Sequence, residues 1–415
     1  MLHVVKTSWA LLLGMLLLLV GNGLQGTLLG IRGGIEGYDA EAMAFVMSGY
    51  YVGFLLGSRR ATAMIARVGH VRVFAALAST ISAVFILYAA APDAWAWTAM
   101  RFVVGFSFAG VYVVAESWLN DAATNETRGQ AMSLYMIVQM VGIISAQFIL
   151  TLADPAGYVP FVVISVLVSV SFLPILLAPV SAPAFQTTKP MSLGQLFRIS
   201  PLGCVGTFLL GGVYAGIFAM GSVFGTAKGL SVAQISSFVA AIYAGGLVFQ
   251  YPIGLMSDRM DRRRLILFLT AGGAAVTLAG ALVSERYLAV LALGFVVGGV
   301  ANPLYALIIA YTNDFLGAED MPAASGGLLF INGLGAISGP FVIGYLMTRL
   351  GADAYFGYIG VLFGLIAAYA GWRMTRRAAP PSSEPYAPVL PQASPVAVAV
   401  AQEIAIGRTS EAARG

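Results

Sequence analysis

Stretches of about twenty apolar residues, each nearly free of charge, recur along this chain, and their recurrence limits the possible folds more than any other feature. A bilayer core about 30 Å thick is crossed by roughly 20 helical residues at 1.5 Å rise. Twelve such stretches lie at about 9–31, 41–58, 72–91, 95–118, 130–153, 159–180, 201–224, 233–256, 265–284, 287–312, 322–348 and 354–373. They are unbroken apolar runs, not the alternation over about ten residues that a membrane β-barrel shows. Composition agrees, because 59% of the 415 residues are hydrophobic and 10% charged, whereas soluble domains run at about 45–50% apolar and about 25% charged. The expected fold is an all-α membrane protein with twelve transmembrane helices.

The first stretch follows Lys6 and resembles a secretory leader, but it continues past Gly21-Asn22-Gly23 to Ile31 and no small-x-small cleavage site follows, so it is expected to remain as a span. A single cysteine, Cys204, leaves no internal disulfide and no thiolate metal site, and two histidines, His3 and His70, are too few for a histidine-built centre. No cofactor or metal is expected. The spans also lack the convergent His, Asp, Glu, Cys or Ser/Lys cluster that an enzyme needs.

Lys and Arg are distributed unevenly over alternate loops. With the N-terminus inside, one side collects fifteen of them, including Arg59, Arg60, Arg67, Arg72, Arg259, Arg262, Arg263 and Arg264; the other holds only Arg32, Lys228, Arg286 and Arg349. The positive-inside rule then puts both termini in the cytoplasm, which requires an even number of spans. The pI near 9.1 follows from this basic rim and asks for no nucleic acid.

The longest internal interruption divides the chain into a six-helix bundle over 1–180, a cytoplasmic linker over 181–200 and a second six-helix bundle over 201–377. An offset of 193 residues superposes Gly105 on Gly298, Tyr112 on Tyr305, Asn120-Asp121 on Asn313-Asp314, Ala131 on Ala324 and Gly142 on Gly335. Parallel repeats about an axis normal to the membrane are a transporter architecture, with the cargo site between the halves near the midplane. Residues 378–415 carry Pro380, Pro381, Pro385, Pro388, Pro391 and Pro395, a composition expected to stay disordered on the cytoplasmic side.

Between the eighth and ninth stretches, Gly254-x-x-x-Asp258-Arg259-x-x-Arg262-Arg263 resembles the loop signature of the major facilitator superfamily, with Asp261 where that family usually has glycine. The first-half copy keeps Arg67-Val68-Gly69-His70-Val71-Arg72, with Ala66 in the acidic place. Arg101-Phe102-Val103-Val104-Gly105 is similar to the family's fourth-helix arginine motif, and Gly335-x-x-x-Gly339-Pro340-x-x-x-Gly344 to its eleventh-helix kink. Gly23 to Arg32, with Ala115-Glu116-Ser117-Trp118-Leu119-Asn120, looks like the YcaD-type branch. The resemblance covers residues 1 to about 377. It implies two pseudo-symmetric six-helix bundles working by alternating access, with Gly254, Asp258, Arg259, Arg262, Arg263, Arg67 and Gly69 forming gating loops; the plainer reading is a solvated loop that only sets topology.

Two charged residues inside spans are candidates for coupling. Arg101 sits about 9 Å along its helix from the outer end, either facing a wet cavity as an anion or proton site or snorkelling to headgroups. Glu116 is about 22 Å further along the same helix, either a coupling or gating carboxylate or an interfacial one. Trp118 beside it suits an interface anchor. Asn22, Gln25, Gln139, Gln147, Tyr243, Gln250, Asn302, Tyr305 and Asn332 are the uncharged cargo-cavity candidates, with helix-to-helix hydrogen bonding as the competing role.

The function expected is secondary active transport of a small solute across the cell inner or plasma membrane, with proton coupling as a candidate. A facilitator without ion coupling and a non-transporting sensor or receptor on the same fold stand as alternatives. The expected partners are the solute, the lipid bilayer and coupling protons; no nucleic acid is expected, and the chain is expected to be a monomer.

Overall fold

The computed structural model describes residues 2–122, 127–177, 191–282, 285–317, 319–376, 386–389, 393, 397, 398, 400–402, 404 and 405, with backbone alone at 2–7, 121, 122, 128 and 129. Among them, 12 helices are long and apolar enough to cross a membrane: Ser8–Ile35, Ala40–Val68, His70–Ala90, Ala94–Asn120, Gln130–Leu150, Val159–Leu177, Pro201–Ala227, Val232–Arg259, Arg262–Ala281, Tyr287–Asn313, Met321–Leu350 and Ala354–Arg376. They are the spans expected from the apolar runs, and several are longer. The second runs ten residues past its apolar core, through Arg59, Arg60 and Arg67, because Arg and Ala hold a helix once it has left the hydrocarbon.

Helix ends are set by local chemistry. Asp39 caps the second span by accepting from the Ala42 N–H at 2.8 Å. Gly69 ends that span with φ +84, a conformation that favours glycine, and its N–H donates to the Ile65 carbonyl. Asp261 caps the ninth span from the Arg263 N–H at 2.9 Å.

The chain forms two compact units. One comprises Met1–Gln186 with Phe218–Ala240 and Pro340–Thr348; the other comprises Thr187–Ile217, Ala241–Gly339 and Arg349–Gly415. The seventh, eighth and eleventh spans are therefore divided between units. In the seventh, the change falls within a π-helical turn at Ala215–Met220, and in the eleventh at Pro340, a residue that removes a ladder hydrogen bond. Of the expected linker over 181–200, residues up to 190 lie outside the described residues, and Leu193–Ile199 is a short helix capped by Ser192. Of the tail expected to be disordered, the described residues are placed, and Ala387, Val389, Val398 and Val400 are buried. The tail's proline content disfavours a core of its own, but these apolar residues are covered all the same.

In the first unit, the second and fourth spans meet backbone to backbone: a Cβ at Gly53 would strike the Phe102 carbonyl, and one at Gly105 the Tyr50 carbonyl. In the second unit, the eighth and tenth spans repeat this, Gly245 against the Phe295 carbonyl and Gly298 against that of Ile242. The Gly105/Gly298 equivalence of the sequence is thus an equivalence of packing, in which missing side chains let helices approach where lipid gives no hydrophobic drive. Within the first unit, Ser222 of the seventh span also fits against Gly30 of the first, and Phe341 of the eleventh meets Phe45 of the second edge to face at 5.0 Å.

Gly105→Val and Gly298→Val are each expected to lower stability by about 1–3 kcal/mol through overpacking. Gly272→Ala, at a glycine with nothing within 4 Å, should cost nothing. Thermal unfolding in detergent micelles checks the contrast.

Candidate functional site

Arg101 and Glu116, both on the fourth span, are 4% and 1% exposed. Charges that deep in a protein must find partners or sit where a ligand supplies one. Arg101 does not snorkel to headgroups. Its Nη1 donates to Gln25 Oε1 at 2.9 Å, and its guanidinium carbon lies 4.7 Å from the centroid of the Tyr50 ring, a cation–π arrangement that stabilises the charge without neutralising it. Arg101 Nε has no hydrogen-bond partner, the Tyr50 hydroxyl faces Asn22 and that of Tyr88 faces Gln25, and no acid pairs with Arg101 among the described residues. This is a buried cation with one spare donor among polar neighbours. One turn from Gln25, Asn22 donates to the Tyr112 hydroxyl at 3.4 Å.

Glu116 is not brought to Arg101. It accepts from the Tyr135 hydroxyl at 3.5 Å, and the next residue, Ser117, shares a 3.0 Å hydrogen bond with His70 Nε2. Trp118, expected at the lipid interface, is 4% exposed and packs edge to face on His70 at 6.5 Å.

The uncharged candidates divide by partner. Gln147 accepts from the Thr27 hydroxyl at 2.9 Å and donates to the Gly23 carbonyl at 3.2 Å, so it ties the first and fifth spans together. Asn332 donates to the Thr207 carbonyl at 3.2 Å and does the same for the seventh and eleventh. Gln139 is buried and Tyr243 half-buried. Asn302 donates to the Gly298 carbonyl one turn back and keeps Oδ1 without a partner. Tyr305 is fully buried with its ring 6.3 Å from that of Tyr214, whose hydroxyl donates to the Ala301 carbonyl. Gln250 donates to the Tyr386 hydroxyl at 2.9 Å.

The loop after the eighth span is more than a solvated turn. Arg262 is buried, donates to Ser257 Oγ at 3.0 Å and to the Ala310 carbonyl at 3.3 Å, and pairs with Asp314 at the end of the tenth span. Asp258 is a secondary partner at 3.7 Å, its side chain 46% exposed against 2% for Asp314. Asp314 is not among the site residues expected from the sequence, although the Asn313-Asp314 repeat of Asn120-Asp121 marks it there. Arg263 pairs with Asp261 at 2.6 Å, so the residue that departs from the family pattern serves as cap and counter-ion together. Gly254 is buried, and Arg259 and Arg67 are exposed. No group of three or more His, Cys, Asp or Glu capable of holding a metal ion occurs among the described residues.

The sequence pattern described as Major Facilitator Superfamily matches residues 11–238 and 203–406. An uncharacterized MFS-type transporter of Yersinia pestis is 26% identical over 358 residues, covering 85% of this chain and 92% of that protein. The uncharacterized MFS-type transporter YcaD of Escherichia fergusonii is 24% identical over 350 residues, covering 83% and 90%. Among solved structures, the nucleoside transporter NupG superposes with a TM-score of 0.74 at 15% identity, covering 89% of this chain and 98% of that one. A D-xylose-proton symporter superposes with a TM-score of 0.67 at 14% identity, covering 88% and 96%.

Asp314→Asn strands the buried Arg262 and is expected to cost about 3–5 kcal/mol, whereas Asp258→Asn removes an exposed partner and should cost about 1 kcal/mol or less. Thermal unfolding of the two variants in micelles gives the ranking. Arg263 holds the Asp261 carboxyl below its usual range. Its stabilisation is therefore complete above the ordinary carboxylate pKa and is lost as pH falls through the lowered value. Asp261→Asn should make the stability profile flatter on its acid side.

Proposed function

The chain belongs to the Major Facilitator Superfamily, and from that membership we propose that it is a secondary active transporter moving a small anionic solute by alternating access, with Arg101 as the anion anchor. The family is one of transporters and not of enzymes, and the protein is integral to the membrane. The observation that carries the proposal is the state of Arg101: buried, held by Gln25 and Tyr50, unmatched by an acid among the described residues, and left with an unused donor at Nε. A carboxylate or phosphate offers two acceptor oxygens to the guanidinium fork and would satisfy it. In this reading Gln25 and the phenols of Tyr50 and Tyr88 complete the shell.

Glu116 is the proton-coupling group in this proposal. It is the buried carboxyl of the fourth span and lies beside the Tyr135 phenol. The D-xylose-proton symporter offers a precedent for proton use on this fold. The membrane is the bacterial inner or plasma membrane with both termini cytoplasmic, supported by the Lys/Arg bias and the even number of spans.

Purified protein in liposomes, offered a panel of radiolabelled organic anions and neutral analogues under an imposed pH gradient, tests this. Saturable uptake of an anion is expected, lost by about 100-fold in Arg101→Gln if one charge-assisted pair of about 1.5–3 kcal/mol goes together with its ligand geometry. Glu116→Gln should remove the pH dependence. Uptake that survives Arg101→Gln would refute the anion anchor, uptake indifferent to pH in the native protein would make it a facilitator, and no uptake of any solute, by the native protein or by Tyr386→Ala, would favour a sensor.

A further inference from the structure

The tail beyond the twelfth span reaches back to the eighth. Tyr386 donates its backbone N–H to Asp258 Oδ1 at 2.8 Å, and its hydroxyl accepts from Gln250 Nε2 at 2.9 Å. Its ring lies on Gly254, where a Cβ would come within 3.0 Å of it. Gln250, Gly254 and Asp258 are spaced four apart, so they form one stripe along the last turns of the eighth span. The stripe offers a donor, a gap and an acceptor in that order, and Tyr386 supplies the complement to each.

This seat is not an isolated touch. Burial and the Asp258 charge push the Tyr386 hydroxyl well above its ordinary range, and the side chain stays neutral where it sits. Further along, Ala393, Ala397, Val398 and Val400 are buried as well. A segment that merely trailed into solvent would neither use an amide facing the polar cluster nor hide its apolar residues.

We infer that Tyr386 is an autoinhibitory plug, occupying the Gln250–Asp258 stripe and barring access to the polar groups of the eighth span from the face carrying the 254–264 loop. The inference rests on the transport reading for its consequence, since the groups it covers include the cargo candidate Gln250. It also explains what Asp258 does: because Arg262 is matched by Asp314, the Asp258 carboxylate is available to hold the tail.

The test reads occupancy of the seat and needs no solute, so it is independent of whether transport is found. In a Cys204→Ser background, Gln250→Cys is exposed to a water-soluble maleimide in sealed vesicles that present the 254–264 loop outward. Labelling is expected to be slow with the tail intact and to rise about tenfold or more with Tyr386→Ala, as fits a seat that is otherwise open for a minor fraction of the time. A chain ending at residue 377 should label as fast, and a synthetic peptide of residues 378–415 should restore protection. Equal labelling rates in the intact and Tyr386→Ala proteins, both eluting as single folded species, would overturn the plug. Should the shortened chain not fold, oxidative cross-linking of a Gly254→Cys, Tyr386→Cys pair in the full chain decides the seat, and failure to cross-link overturns it equally.

Discussion

Hydrocarbon offers no hydrogen-bond partner, and the rest of this structure follows from that. Every backbone N–H and C=O inside the bilayer has to be satisfied within its own segment, so each apolar run becomes a helix. Lipid also removes most of the hydrophobic drive that would press helices together in water. What remains is close packing, and the chain achieves it where side chains are missing: Gly53 and Gly105 in one unit, Gly245 and Gly298 in the other, each set against a carbonyl of the neighbouring helix. Both repeats share these contacts, and a larger residue on either side would push two backbones apart.

The same absence of water decides what a buried charge means. Arg262 is buried but saturated, with Ser257, the Ala310 carbonyl, Asp314 and Asp258 around it, and its chemistry is that of a clasp between the eighth, ninth and tenth spans. Arg101 is as deeply buried but has one polar side chain, one aromatic face and a spare donor. Two arginines of similar exposure therefore differ in their partners: the first is matched by a buried carboxylate, and the second keeps a donor without one. The clasp also frees Asp258, which in the loop motif looks like the principal acid and here holds the backbone of Tyr386 instead.

Much of this is legible in the residues. All twelve spans are, since twenty apolar residues in a row have few other uses; the ends are less so, because Arg and Ala carry the second span past its apolar core. Arg101 and Gln25 can each be named but not paired, as they are 76 positions apart in the chain. Gln147 and Asn332 look the same as Gln250 in sequence, and only their partners show that two of them join helices. Asp314 is half of a repeated Asn-Asp, but a carboxylate at a helix end usually meets water, so the repeat alone does not mark it as the partner of Arg262. The seat of Tyr386 cannot be read from the chain, since a Pro-rich tail signals only that it lacks a core of its own.

By itself, then, the sequence determined that this protein lives in a membrane as twelve helices of a duplicated transporter fold, because hydropathy and a shared offset are properties of the chain read along its length. Tertiary structure alone decided which polar groups are spent and which remain open: that Arg262 is matched by Asp314, that Arg101 is matched by no acid among the described residues, and that Tyr386 lies on the eighth span. Those outcomes depend on which distant residues meet, and a hydrogen bond between two side chains leaves no mark on either one until the helices that carry them are brought together.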